Sequence, residues 1–268
     1  MLAAKNFERQ DTANNSDCRI VEQIECNVTL LFRDELNSAA KSFRLELDGT
    51  QLDKFEKFFR LVVDVNQKMN LTTITEPRDF AIKHVIDSLS AWDDKLFRGD
   101  EKLLDVGTGA GFPAIPLKIF RPQLKVCLID SLNKRVEFLK RVVAELQLAN
   151  VEIFHGRAEE LARQKFFREQ FEIVTSRAVA RLNVLAEYCL PFVKVGGKFV
   201  ALKGKNFSDE LDEARAAIKI LGGGKILIRE PKLPLLDESR AVIFVDKKKS
   251  TPEKFPRREN LIRNLILK

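Results

Sequence analysis

The sequence predicts an α/β protein: a seven-stranded, mostly parallel sheet closed by an antiparallel terminal hairpin and preceded by N-terminal helices. Three observations carry this. Beyond Gly99, short apolar runs alternate with stretches of helical period, the pattern of βα units. The last two apolar runs are separated only by a Pro-containing loop at 230–239, which suits antiparallel pairing rather than a crossover. A glycine-rich turn at 107–111 directly follows the first run, as at the first βα turn of Rossmann-like sheets.

Residues 1–45 are polar, rich in Asn, Asp and Glu, with one mixed apolar patch at 28–32, and are expected to form a partly disordered lead-in. Residues 46–98 read as a helical cap, 99–246 as the sheet domain and 247–268 as a basic tail. In the cap, Leu52, Phe55, Phe58, Phe59, Val62, Val65 and Met69 recur at steps of three and four, an amphipathic helix from Gln51. The segment 70–77 breaks it, because a Thr run favours extended backbone and the residue before Pro77 is pushed out of the α region. A second helix is expected over 79–91. The strands are expected at 103–106, 126–130, 151–154, 171–175, 198–202, 226–229 and 242–245. The clearest helix between them, 131–148, starts with Ser131 as N-cap and carries Val136, Leu139, Val143 and Leu146 on one face. The tail reads as a solvated basic segment with a short terminal helix, or as an RNA contact.

At 268 residues the chain can bury a substantial core. Its four cysteines form no C-x-x-C pair and do not cluster with the two histidines, so no metal site is expected. Charged residues interrupt the first thirty positions, and no stretch approaches the roughly 18 apolar residues of a membrane helix. A cytoplasmic monomer is expected. The balance of 46 Lys+Arg against 39 Asp+Glu, with pI 9.2, suits a polyanionic partner without demanding one.

The glycine turn points to a cofactor. Glycines at 107, 109 and 111 let the backbone pass close to a nucleoside. A dinucleotide fingerprint requires a small residue at 112, but Phe112 and Pro113 stand there. Asp105 completes D-x-G-x-G-x-G, and its carboxylate suits a cationic sulfonium while repelling a pyrophosphate. The cofactor read from this pattern is S-adenosylmethionine. Asp130 ends the second strand, where an acid accepts from ribose hydroxyls or serves the next helix's dipole. Ala158 and Glu159 follow the third strand as candidates for the adenine edge, and His155 reads as a loop histidine. After the fourth strand, 176–180 lies where a methyl acceptor enters. Neither an Asn/Asp-Pro-Pro-aromatic turn nor a Pro-Cys nucleophile occurs there, so an acceptor needing no covalent activation is implied. His84 and Asp87, three apart on one helix face, can position that acceptor or form a bonded pair fixing helix to sheet.

The chain resembles the glucose-inhibited division B family of bacterial 16S ribosomal RNA guanine-N7 methyltransferases over about 51–245. The resemblance rests on Asn70-Leu71-Thr72, His84-Val85-Ile86-Asp87-Ser88-Leu89, residues 105–116, Asp130-Ser131-x-x-Lys134-Arg135, Arg157-Ala158-Glu159, Ser176-Arg177-Ala178-Val179-Ala180 and Ala201-Leu202-Lys203-Gly204. It implies the Rossmann-like S-adenosylmethionine-dependent methyltransferase fold and methyl transfer to N7 of one guanine of 16S ribosomal RNA in the small ribosomal subunit. Gly107, Phe112, Ala158, Glu159 and Arg177 match the family's cofactor-binding positions. Arg177 and Lys203 are candidates for RNA contact, with a salt bridge to a neighbouring helix and a plain strand-end lysine as their structural alternatives. The chain departs from the family at Asp64-Val65, where an aromatic is commoner, at Ala114 for a glycine, and after Phe255-Pro256-Arg257-Arg258, where the usual Gly, Pro and Lys are missing. A small-molecule or protein acceptor is the alternative function. A fold retained without activity is disfavoured by the intact Asp105, glycines and Asp130.

Overall fold

The computed structural model describes residues 27–234, 239–264 and 267. The expected lead-in over 1–26 lies outside them. The remainder of that expectation is corrected, because residues 27–42 form a helix, α1, and not a loose lead-in. Val28, Phe32, Leu36, Ala39 and Ala40 share one face despite the polar composition around them. Phe32 and Leu36 are fully buried, and Phe32 stacks on Phe59 at 4.5 Å between centroids.

Helix α2, Gly49–Met69, begins with a capping box in which Asp48 accepts from Gln51 N–H and the Gln51 side chain accepts from Asp48 N–H. It ends at Asn70 in the left-handed region, φ 48°. Asp64, at one departure from the family, pairs with Arg141 at 3.6 Å. The second cap helix, α3, is one run in three parts: Pro77–Phe80, a π-helical stretch Ala81–Ile86, and Asp87–Leu89. Pro77 at its first turn sets the start.

The seven expected strands all form: β1 Lys102–Val106, β2 Lys125–Asp130, β3 Val151–His155, β4 Phe171–Arg177, β5 Val193–Lys203, β6 Gly223–Arg229 and β7 Ala241–Lys247. Their order is β3-β2-β1-β4-β5-β7-β6, with β7 antiparallel to both β5 and β6 and the other pairs parallel. Alternate residues feed two cores. Leu103, Val126, Leu128 and Phe244 face the cap side together with α4, Ala114–Phe120, and α5, Asn133–Glu145. Leu104, Cys127, Ile129 and Val245 face α7, Leu182–Cys189, and α8, Phe207–Ile220.

Two further expectations change. Ser131 does not cap α5: the helix begins at Asn133, and Asp130 takes the Leu132 N–H at 2.9 Å. The basic tail is anchored to the second core, although Lys248, Lys249, Lys254 and Arg258 are exposed. Lys247 is buried within β7, donating to Leu190 O and to Thr251 Oγ1, while Phe255 and Ile262 join the second core. Arg257 grips the buried Glu187 through its backbone N–H, Nε and Nη2. The expected terminal helix is α9, Glu259–Asn264. No described helix is long and apolar enough to cross a membrane.

Candidate active site

The strand order reverses between β1 and β4, so their carboxyl ends diverge and leave a crevice, the place where open α/β sheets hold ligands. The glycine turn leaves one side of it and the loop 177–180 the other. Gly107, Gly109 and Gly111 all have positive φ, at 68°, 60° and 102°. A side chain at Gly107 would meet Val179 at 2.6 Å, and one at Gly111 would meet Ile115 at 2.6 Å. At Gly109 nothing lies within 4 Å, so the middle of the turn faces open space.

Asp105 and Asp130 stand on either side of this turn. Register places Asp105 beside Thr175, whose hydroxyl donates to Asp105 Oδ1 at 2.8 Å. The other oxygen, Oδ2, is buried, as is Thr108 Oγ1, whose hydroxyl acts on the same carboxyl. Burial raises the Asp105 carboxyl to about 7, opposed by the Thr108 and Thr175 hydroxyls and by the charge of Arg177. Asp130 accepts from Gly109 N–H at 2.9 Å through Oδ2, so it holds the turn in shape. Beside it, Gly156 N–H donates to Asp130 O. Ala158 and Glu159 then open the short helix α6, Ala158–Leu161. Burial also raises the Glu159 carboxyl. His155, expected in a loop, is instead the exposed last residue of β3 and donates from Nε2 to Ser131 O.

On the acceptor side, Arg177 is the hub. Its guanidinium donates to Lys83 O at 3.1 Å, to Asp87 Oδ2 at 2.9 Å and to His84 Nδ1 at 3.1 Å, and lies 4.9 Å from the Phe112 ring centroid. His84 stacks on the other partner of this group, Phe112, at 4.3 Å and 18°. His84 and Asp87 thus meet through Arg177, and the helix-to-sheet salt bridge foreseen as an alternative for Arg177 is present. Burial, reinforced by Arg177, pushes the His84 imidazole down to about 3. Lys203 donates to Ala180 O and pairs with Glu210 at 2.6 Å.

These groups line a cavity of about 510 Å³ between α3 and the ends of β4 and β5. Lys83, Glu210 and Arg240 line it as well and were not singled out by sequence reasoning. Nor was Thr72, which bonds His84, although the Asn-Leu-Thr motif containing it was noted.

The family described as GidB, rRNA small subunit methyltransferase G, matches residues 51–233. The chain belongs to that family. A ribosomal RNA small subunit methyltransferase G of Alkaliphilus oremlandii is 45% identical over 226 residues, 84% of this chain and 95% of the relative. Its namesakes in an Exiguobacterium species and in Clostridium tetani are 49% and 43% identical, covering 82% and 88% of this chain and 92% and 99% of theirs. This member of the methyltransferase G family is an S-adenosylmethionine-dependent enzyme. Its residues suit that cofactor: Gly109 leaves the turn open, and the acid matches a cationic sulfonium.

Proposed function

We propose that this chain transfers a methyl group from S-adenosylmethionine to N7 of a specific guanine in the 16S ribosomal RNA of the small ribosomal subunit. In this reading Asp105, Gly107, Gly109, Gly111, Phe112, Asp130, Ala158 and Glu159 hold the cofactor along the turn. The target base enters the cavity beside Arg177, and the enzyme works in the cytoplasm as a monomer.

The observation that carries the reading is that none of the described groups lining that cavity is a free base. His84, its one imidazole, already accepts from Arg177 at Nδ1, and Asp87 is held in an ion pair. Guanine N7 needs no base, because its lone pair is available at neutral pH. When bound, S-adenosylmethionine supplies an electrophilic methyl group. The new N7–C bond forms as the S–C bond breaks, the thioether leaves, and the positive charge passes to the guanine; no proton moves. What remains for the chain is to hold the base in line, roughly 3–3.5 Å from the methyl carbon, and to exclude water. Helix α3 of the cap lines one side of this cavity.

Complementation tests the proposal. Expressed in a bacterium deleted for its own family member, the chain should restore N7-methylguanine at one position of 16S ribosomal RNA, read as a single aniline-induced strand break. Full expression of folded protein without that break would exclude this acceptor and favour a small molecule or a protein.

A further inference from the structure

The helical cap does more than cover the crevice. Helix α3 is π-helical over Ala81–Ile86, with Asp87 N–H reaching back five residues to Ile82 O. Such widened turns concentrate at functional sites. Here three acceptors of that run, Lys83 O, His84 Nδ1 and Asp87 Oδ2, converge on one guanidinium, Arg177. An arginine can only donate, so His84 Nδ1 must be the acceptor and the proton must reside on Nε2. Nε2 in turn lies 2.8 Å from Thr72 Oγ1, which therefore receives that proton's hydrogen bond. Thr72 is itself fixed: its N–H donates to Asn66 Oδ1, in the last turns of α2, and its hydroxyl oxygen also accepts from Ile74 N–H. A chain of hydrogen bonds thus runs from α2 through Asn66, Thr72 and His84 to Arg177, ending beside the Phe112 ring that follows the glycine turn.

We propose that Thr72 and His84 are positioning residues for Arg177, Thr72 by accepting from Nε2–H and so holding the imidazole ring whose Nδ1 faces the guanidinium. The inference rests on Arg177 serving cofactor or acceptor as proposed above. Thr72 lies outside the methyl-transfer cavity, so its effect must pass through His84 and Arg177.

A double-mutant cycle tests this on the full-length chain, with two readouts: affinity for S-adenosylmethionine by calorimetry and kcat/KM for methyl transfer to small ribosomal subunits. Thr72→Val removes the hydroxyl at constant shape and is expected to lower one or both readouts about tenfold, the scale of one hydrogen bond feeding a charged group. Thr72→Ser should restore them. His84→Asn, which keeps an acceptor near the Nδ1 position, should retain more function than His84→Leu. In an Arg177→Ala background Thr72→Val should change neither readout by more than about twofold, because the group it positions is gone. Full additivity of Thr72→Val and Arg177→Ala, or failure of Thr72→Ser to restore function lost in Thr72→Val, would overturn the proposal. The two readings separate cleanly: a non-additive cycle in cofactor affinity with no transfer to RNA upholds the positioning role and refutes the acceptor, whereas normal transfer with an additive cycle refutes the positioning role alone.

Discussion

Replacing His84 by Gln should flatten the acid dependence of stability, and the size of the effect follows from its surroundings. In the fold, burial and the adjacent Arg177 hold the imidazole neutral down to about pH 3, whereas in the unfolded chain it protonates near its ordinary 6.5. The unfolded state therefore takes up the proton first. The stability this group contributes is present above about 6.5 and is lost as pH falls from there toward 3. At pH 5, about 1.5 units below the unfolded value and at 1.36 kcal/mol per unit, the loss from this residue is about 2 kcal/mol. Asp105 acts in the opposite sense: its carboxyl, raised to about 7, contributes stability at low pH that is lost as pH rises through 7. It is common to both proteins and cancels in their difference. Urea unfolding of the wild type and His84→Gln at pH 7 and pH 5 measures that difference. The gap should narrow by about 2 kcal/mol in the variant's favour at pH 5; an unchanged gap would refute the assignment of a permanently neutral, Arg177-bonded imidazole.

Gly109→Val should abolish S-adenosylmethionine binding by calorimetry, because the side chain would fill the open middle of the turn, and undiminished affinity would misplace the pocket. Arg257→Ala should lower stability to urea by about 3–5 kcal/mol, since it strands the buried Glu187 carboxylate without its bidentate partner; a change below about 1 kcal/mol would return the tail to the status of a solvated segment. Asp105→Asn should weaken cofactor binding yet gain stability relative to wild type as pH rises from 5 to 8, because the wild-type carboxyl ionises in a buried place across that range. Parallel stability profiles for the two proteins over that range would contradict the raised carboxyl.

Much of this was legible in the residues. Strands with three or more apolar positions in a short run announce themselves, and Phe112 together with Asp105 pointed to the cofactor on steric and charge grounds. Three features were not legible, each for a physical reason. Helix α1 hides behind a polar composition, because its burial depends on only a few positions, Phe32 and Leu36 above all, that find partners in α2 and α3. The tail looked solvated because its cations were counted without their partners: Glu187 and Glu169 lie 70 and 78 positions upstream of the arginine and lysine they meet. The Arg177 hub joins β4 to a helix 90 or more positions away, and the π-helical stretch that presents Lys83 O and His84 Nδ1 to it has no signature in hydrophobic period. His84 and Asp87 were recognised as neighbours, but only the fold supplies the guanidinium between them. Lys203 was read as an RNA contact or a plain strand-end lysine, and its partner Glu210, on the following helix, is supplied only by the fold.

The central claim is that one crevice holds S-adenosylmethionine along the glycine turn and a guanine beside Arg177. The most direct test is transfer of labelled methyl from S-adenosylmethionine, by the purified chain, to small ribosomal subunits prepared from a strain that lacks its own guanine-N7 enzyme, with naked 16S ribosomal RNA in parallel and the label mapped by aniline cleavage. Label at N7 of a single guanine, abolished by Gly109→Val, is the predicted result. Label on another base or atom, or none despite calorimetric binding of the cofactor, would contradict it.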